Sequence, residues 1–135
     1  HVRSRRQRQM CIRDRIRIDR LNAHAREAAE QCGGTYIPKI LELQKLSEAL
    51  KTFPPDRKLL FCDEELKQSK VKFNSLKKGK WSILVGPEGG FSDIERNHLL
   101  ALEFTHSISL GPRVLRADTA AVTAISLWQN YLGDW

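Results

Sequence analysis

The chain has 135 residues, of which 41% are hydrophobic and 29% are charged, and its formal net charge is +7. This length fits one domain that is able to bury a core. No apolar run approaches the roughly 20 residues that a membrane span requires, and the N-terminal segment lacks the apolar centre of a signal peptide. We therefore predict a cytoplasmic protein without a membrane partner.

The positive charge is concentrated at the start of the chain. Residues 1–20 contain eight arginines and two aspartates, a net charge of +6, whereas the remaining residues carry a net charge of +1. Residues 1–19 contain little that could form a core, so we predict a basic tail there. It is an RNA-binding arm, a disordered tail or a non-native segment. The overall basic charge is therefore weak support for a nucleic-acid partner.

The first half of the chain predicts two helices. Small and apolar residues recur near helical spacing over 19–32, and the pair Gly33-Gly34 is a typical helix end. Residues 36–40 contain a proline, which limits them to an edge strand or an irregular run. Residues 46–53 are expected to form a short helix that stops before Pro54-Pro55.

Three segments predict strands in the second half: the apolar runs at 58–62 and 81–85, and the alternating segment at 105–110. The polar, lysine-rich residues 64–78 are predicted to form a surface connection with little helix. The two tryptophans within apolar patterns, Trp81 and Trp128, are expected in the core.

Helices are predicted to follow the second and third strands. Ser92 and Glu95 have the spacing of a capping box, which favours a helix start. Four residues are expected to form its apolar face: Ile94, Leu99, Leu100 and Leu102. Residues 118–132 are strongly helical in pattern. Strands that alternate with helices predict an α/β fold with a parallel sheet.

Two segments share the same design of a strand, a glycine turn and a helix. They are ILVGPEGGFS at 83–92 and LGPRVLRADTAA at 110–121. Glycines allow backbone N–H and C=O groups to approach a flat ligand such as adenine, so we expect one shared ligand site. A phosphate-binding loop requires a lysine that is absent after Gly90, and the dinucleotide pattern G-x-G-x-x-G is also absent.

These two motifs resemble the signature of the bacterial ribosomal RNA small subunit methyltransferase E family, which belongs to the SPOUT class of knotted methyltransferases. A third segment, EAAEQCGGTYIPKI at 27–40, is a weaker match. The family usually has LRTETA where this chain has LRADTA, so Asp118 replaces a glutamate.

The resemblance implies an α/β fold with a parallel sheet, helices on both faces and a C-terminal trefoil knot. It places this domain at residues 20–135. The N-terminal RNA-binding barrel of the family, and the first strand and helix of its catalytic domain, are not recognisable before Arg20. We therefore expect an incomplete domain without the barrel. The family also implies a homodimer.

The implied activity is methylation of a uridine N3 in small-subunit (16S) ribosomal RNA, with S-adenosylmethionine (SAM) as the cofactor. The family implies cofactor contacts from residues in both motifs, namely Gly86, Glu88, Gly90, Leu110, Gly111, Leu115 and Thr119. No metal is expected, because Cys11, Cys32, Cys62 and the scattered histidines lack ligand spacing.

The arginines of the second motif are the candidate substrate contacts. Arginine can bind a phosphate or a developing oxyanion through two hydrogen bonds, so we predict substrate binding by Arg113 and Arg116. Arg116 is the expected catalytic cation, or else it forms a salt bridge with Asp118. Asp118 or Glu88 acts as the base or orients Arg116, and Asp118 is also a candidate helix N-cap.

Two other functions remain open at this stage. The first is a ribose 2′-O-methyltransferase of the same knotted class, although the LRADTA segment argues against it. The second is a catalytically inactive RNA-binding module or fragment. Binding of SAM distinguishes the second reading from an enzyme, since an inactive module need not bind the cofactor.

Overall fold

The computed structural model describes residues 18–66 and 73–135. Contacts divide the described residues into two compact units, one ending at Thr52 and the other beginning at Phe53. In the part of the chain that is described, no helix is long and apolar enough to cross a membrane. The predicted basic tail lies outside the described residues up to position 17, while positions 18 and 19 are helical.

In its described residues, 18–52, the first unit contains two helices. The helix α1 covers residues 18–31 and ends in a Schellman motif. Gly33 has a φ of 68°, and the N–H groups of Gly33 and Gly34 donate to Glu30 (3.3 Å) and Ala29 (2.8 Å). Two consecutive glycines thus end the helix where the sequence predicted.

The helix α2 is shorter than expected and occupies Leu46–Lys51. Thr52 is its C-cap and its hydroxyl donates to the carbonyl of Glu48 at 3.3 Å, so the helix ends before Phe53. Residues 36–40 form no strand, which agrees with the irregular conformation that Pro38 permits.

The second unit is built on a parallel sheet of three strands. They are β1 (Arg57–Cys62), β2 (Lys80–Val85) and β3 (Thr105–Ile108), in the order β2-β1-β3. Cys62 pairs with both Val85 and Ile108, so the three strands end together at one edge. The predicted parallel α/β fold is confirmed. A 3₁₀ turn at Phe73–Ser75 lies in the predicted surface connection.

The strand β3 ends two residues earlier than predicted. The Ser109 hydroxyl donates to the Gly111 carbonyl at 3.1 Å, and the Gly111 N–H contacts the same hydroxyl oxygen at 3.3 Å. This local turn uses backbone groups that a longer strand would have used for pairing.

One face of the sheet carries the main core. Side chains of alternate strand residues, including Leu60, Trp81 and Ile108, pack against Ala124 and Leu132 of the helix α4 (Ala117–Leu132). Trp128 packs against this cluster, as predicted for both tryptophans. The small side chain of Ala124 is fully buried, which allows the helix to approach the strands closely.

The other face carries the intervening residues of β1. Phe61 is fully buried there and contacts Phe91 edge to face, with ring centroids 5.3 Å apart. Phe91 lies just before α3 (Asp93–Ala101), whose capping box at Ser92 and Glu95 is present as predicted.

The apolar face expected for α3 is only partly correct. Leu99 is fully buried, but Ile94 is 82% exposed and Leu100 is 43% exposed. A nine-residue helix that borders β3 buries a narrow stripe, and both residues fall outside it.

Candidate functional site

A cleft lies at the carboxyl ends of the three strands. It holds about 520 Å³ of space between the atoms, a volume that includes open solvent. Three segments supply its lining: Cys62 to Glu64 after β1, residues of 85–91 after β2, and residues of 110–120 after β3. Ligands of open parallel sheets bind at this position, outside the carboxyl ends of the strands.

The loop after β2, residues 86–92, requires glycine at two positions. A Cβ atom at Gly86 would lie 2.8 Å from the ring of Phe91. Gly90 has a φ of 71°, its N–H donates to the Pro87 carbonyl at 2.9 Å, and a Cβ atom there would collide with the Glu64 carboxylate. Both glycines line the cleft.

The loop after β3 also presents backbone. Gly111 lines the cleft with a φ of 125°, a conformation that side chains rarely allow. The small residues Ala117 and Ala120 at the start of α4 line the cleft as well, so the first turn of the helix can lie close to a ligand.

Asp118 is not the N-cap of α4. Arg116 occupies that position with extended backbone and no side-chain cap, and Asp118 lies in the first turn. Its carboxylate accepts a hydrogen bond from the Thr119 N–H at 2.7 Å. The acidic side chain still favours this helix end, because the first turn has unsatisfied N–H groups.

The structure brings together six of the predicted site residues. These line the cleft: Gly86, Gly90, Leu110, Gly111, Arg113 and Leu115. The other four, Glu88, Arg116, Asp118 and Thr119, are exposed and lie outside its lining. The Arg116 and Asp118 side chains, 79% and 75% exposed, are 3.9 Å apart. That contact agrees with the predicted salt bridge, but solvent weakens such a pair.

The sequence analysis missed the wall that β1 contributes. Cys62, the last residue of this strand, and the two residues after it, Asp63 and Glu64, line the cleft. No local motif marks them, because it is the strand order, with β1 between the other two strands, that places its carboxyl end beside both glycine loops. Burial raises the pKa of the Cys62 thiol to about 12, so this wall presents a neutral thiol near pH 7.

Asp63 is buried, with 3% of its surface exposed, and it is paired with Arg96 of α3. The Arg96 Nη2 donates to one carboxylate oxygen at 2.9 Å, and its Nε lies 3.1 Å from both. These contacts raise the pKa of Arg96. Within residues 18–66 and 73–135, no group of three or more His, Cys, Asp or Glu could hold a metal ion.

Comparison with known protein families identifies the class to which the chain belongs. The model of a family described as an RNA methyltransferase domain matches residues 2–129. The chain belongs to this RNA methyltransferase family. The match includes most of the basic segment at residues 1–19.

Curated relatives narrow the family further. The chain is 36% identical over 114 residues to the ribosomal RNA small subunit methyltransferase E of Rickettsia conorii, covering 82% of this chain and 46% of the relative. The Bacillus subtilis protein of the same name is 31% identical, covering 76% and 42%. The methyltransferase E resemblance inferred from the two motifs is thus confirmed. The chain spans less than half the length of these relatives.

Solved structures of the family share the fold. A ribosomal RNA small subunit methyltransferase E from Neisseria gonorrhoeae, bound to S-adenosyl methionine, superposes with a TM-score of 0.77 at 30% identity. A putative methyltransferase from Legionella pneumophila, in complex with the bound cofactor SAM, gives 0.77 at 31% identity. Each covers 91% of this chain, which in turn covers 51% and 50% of those chains.

Proposed function

We propose that this chain forms the SAM-binding part of an enzyme that methylates small-subunit ribosomal RNA at N3 of a uridine. One observation carries the proposal. Two glycine loops and the end of β1 surround a cleft at the carboxyl ends of a parallel sheet, in a member of the RNA methyltransferase family. Two solved structures with the same fold contain SAM.

The residues of the cleft are compatible with SAM. Gly86, Gly90 and Gly111 line the cleft without side chains of their own, and an adenine edge matches backbone donors and acceptors. The proposed cofactor contacts are the residues of the two motifs. Glu88 and Thr119 are included, although they do not line the cleft. When bound, SAM supplies an electrophilic methyl group.

The arginines next to the cleft would contact the RNA substrate. A uridine N3 must lose its proton before it can accept a methyl group, so negative charge develops on the base. Arg116 is exposed and only weakly paired, and we propose that it stabilises this charge. Arg113 lines the cleft and would bind RNA phosphate or the base. Asp118 or Glu88 would accept the proton or orient Arg116.

Three features of the whole enzyme belong to the same proposal. They are a trefoil knot in the C-terminal part, a homodimer and a cytoplasmic location. The homodimer has support in the structure, because Val122 and Ile125 of α4 are 66% and 51% exposed. Apolar side chains one turn apart on a helix favour contact with another surface.

The first test is calorimetric titration of the purified chain with SAM. Saturable binding supports the proposed site. A folded chain that does not bind SAM contradicts the proposal and favours the inactive RNA-binding module.

The second test identifies the product. The chain is incubated with radiolabelled SAM and unmodified small-subunit RNA, and the RNA is then digested to nucleosides. We expect 3-methyluridine. A 2′-O-methylated nucleoside would instead support the ribose methyltransferase.

A further inference from the structure

A buried ion pair connects the wall of the cleft to α3. Among the described residues, Asp63 is the only polar or charged residue that is buried. It lies directly after β1. Its partner Arg96 lies 33 positions further along the chain, on the helix that follows the first glycine loop. Burial of a carboxylate has a high energetic cost, so this placement calls for a physical reason.

Both the backbone and the side chain of Asp63 form hydrogen bonds. Its backbone N–H donates to the Ile108 carbonyl at 3.0 Å, which joins the ends of β1 and β3. Its carboxylate receives both the Arg96 guanidinium and the N–H of Glu65 at 3.2 Å. The Glu65 carboxylate lies 3.3 Å from the Arg96 Nε. Asp63 therefore joins two strand ends and one helix.

The glycine loop 86–92 is anchored at both of its ends. Its first anchor is β2, which pairs with β1. Its second anchor is the first turn of α3, where the Arg96 N–H donates to the Ser92 carbonyl at 2.8 Å. A shift of Arg96 would thus move Ser92 and Phe91, and with them the backbone around Gly90.

Stability alone is a weak reason for a buried ion pair. Apolar residues of similar volume often stabilise a fold as well or better, because desolvation offsets the attraction between the charges. The pair does, however, specify one geometry, since a guanidinium binds a carboxylate through a planar, bidentate contact.

We propose that the Asp63–Arg96 pair is a positioning device, which holds the glycine loop 86–92 in the geometry that binds the cofactor. The inference rests on the proposed function, because it takes SAM as the ligand of the cleft. Neither side chain needs to contact the reacting atoms.

The test compares two arginine variants. Arg96→Met removes the charge and the hydrogen bonds but keeps the length of the stem. Arg57→Met is the matched control, because the Arg57 Nη1 donates to the Trp81 carbonyl (3.3 Å) and the Ser82 hydroxyl (3.4 Å) near the start of the strands, away from the cleft. Asp63→Asn is a milder second variant if Arg96→Met does not fold.

Three quantities are measured on each variant: the melting temperature, the Kd for SAM and the hydrogen exchange of the amides in 86–92. We expect Arg96→Met to weaken SAM binding roughly tenfold or more, since small displacements in a site are costly. We also expect faster exchange in that loop. Arg57→Met should leave both the Kd for SAM and the hydrogen exchange of the loop unchanged, even where it lowers the melting temperature as much as Arg96→Met does. Arg96→Lys should restore SAM binding in part.

The results separate this inference from the proposed function. Equal effects of Arg57→Met and Arg96→Met on SAM binding and on loop exchange would overturn the positioning role. A wild-type chain that does not bind SAM would contradict the proposed function. In that case hydrogen exchange alone would test the positioning role. Faster exchange confined to 86–92 in Arg96→Met would support it, and unchanged exchange would overturn it.

Discussion

Gly90 has a φ of 71°, a backbone conformation that other residues rarely adopt, whereas Gly89 does not have a positive φ. We predict that Gly90→Val weakens SAM binding at least about tenfold, because β-branched residues are strained at positive φ. Calorimetry measures the change, and Gly89→Val is the control. Similar loss in both variants would show that the ligand lies elsewhere.

Arg116 tests whether a cation outside the lining of the cleft acts in catalysis. We predict that Arg116→Ala lowers kcat by about 10²-fold, the magnitude typical of losing one electrostatic stabiliser in a site. The Kd for SAM should be almost unchanged, because Arg116 does not line the cleft. Single-turnover methyl transfer and calorimetry measure the two quantities, and Arg116→Lys retains the charge as a control. A parallel loss of SAM affinity would instead make Arg116 a cofactor ligand.

Single residues differ in how far the sequence could predict them. Gly86, Gly90 and Gly111 were predictable because a glycine turn after a buried strand has a local signature, and all three line the cleft. The Asp63–Arg96 pair was not predictable. Its members are distant in the chain, and only the docking of α3 beside β3 brings them together.

The capping box is the element that joins the first glycine loop to α3. The Ser92 hydroxyl accepts from the Glu95 N–H at 3.3 Å, and the Glu95 carboxylate accepts from the Ser92 N–H at 2.9 Å. These bonds lower the pKa of Glu95. Their contribution to stability is therefore present at neutral pH and is lost as the pH falls through the lowered pKa.

We predict that Ser92→Ala lowers the free energy of unfolding by about 1 kcal/mol at pH 7. The loss should shrink as the pH falls through the lowered pKa of Glu95, because protonation of Glu95 weakens the box in the wild type. Urea unfolding at pH 7 and along a series of acidic pH values measures it. Glu95→Gln keeps an acceptor without a charge and serves as the control. A loss that does not change with pH would rule out the coupling between the two side chains.

The boundaries of elements followed local chemistry wherever that chemistry was visible in the sequence. Paired glycines ended α1, and Ser92 and Glu95 began α3, both as expected. The errors arose where several local solutions compete. Ser109 formed a turn that shortened β3, and α4 began after Arg116 although Asp118 is a better cap by residue type.

At the scale of the whole molecule, the site follows from parallel topology. Loops that leave the carboxyl ends of neighbouring parallel strands must lie at one edge, so the meeting of the two motifs could be foreseen. The strand order could not, because alternating strands and helices are compatible with several orders. The central place of β1 is what brings Asp63 between the two loops.

The exposed apolar residues of α4 bear on the oligomeric state of the chain. We predict that the chain is a dimer and that Ile125→Asp converts it to a monomer, because a buried, unpaired carboxylate opposes an apolar contact. Ile94→Asp is the matched control: it introduces the same charge at an exposed isoleucine of α3, which is 82% exposed against 51% for Ile125. Sedimentation equilibrium distinguishes the states. A monomeric wild type, or a dimer that survives Ile125→Asp, would exclude this face of α4 as the dimer contact.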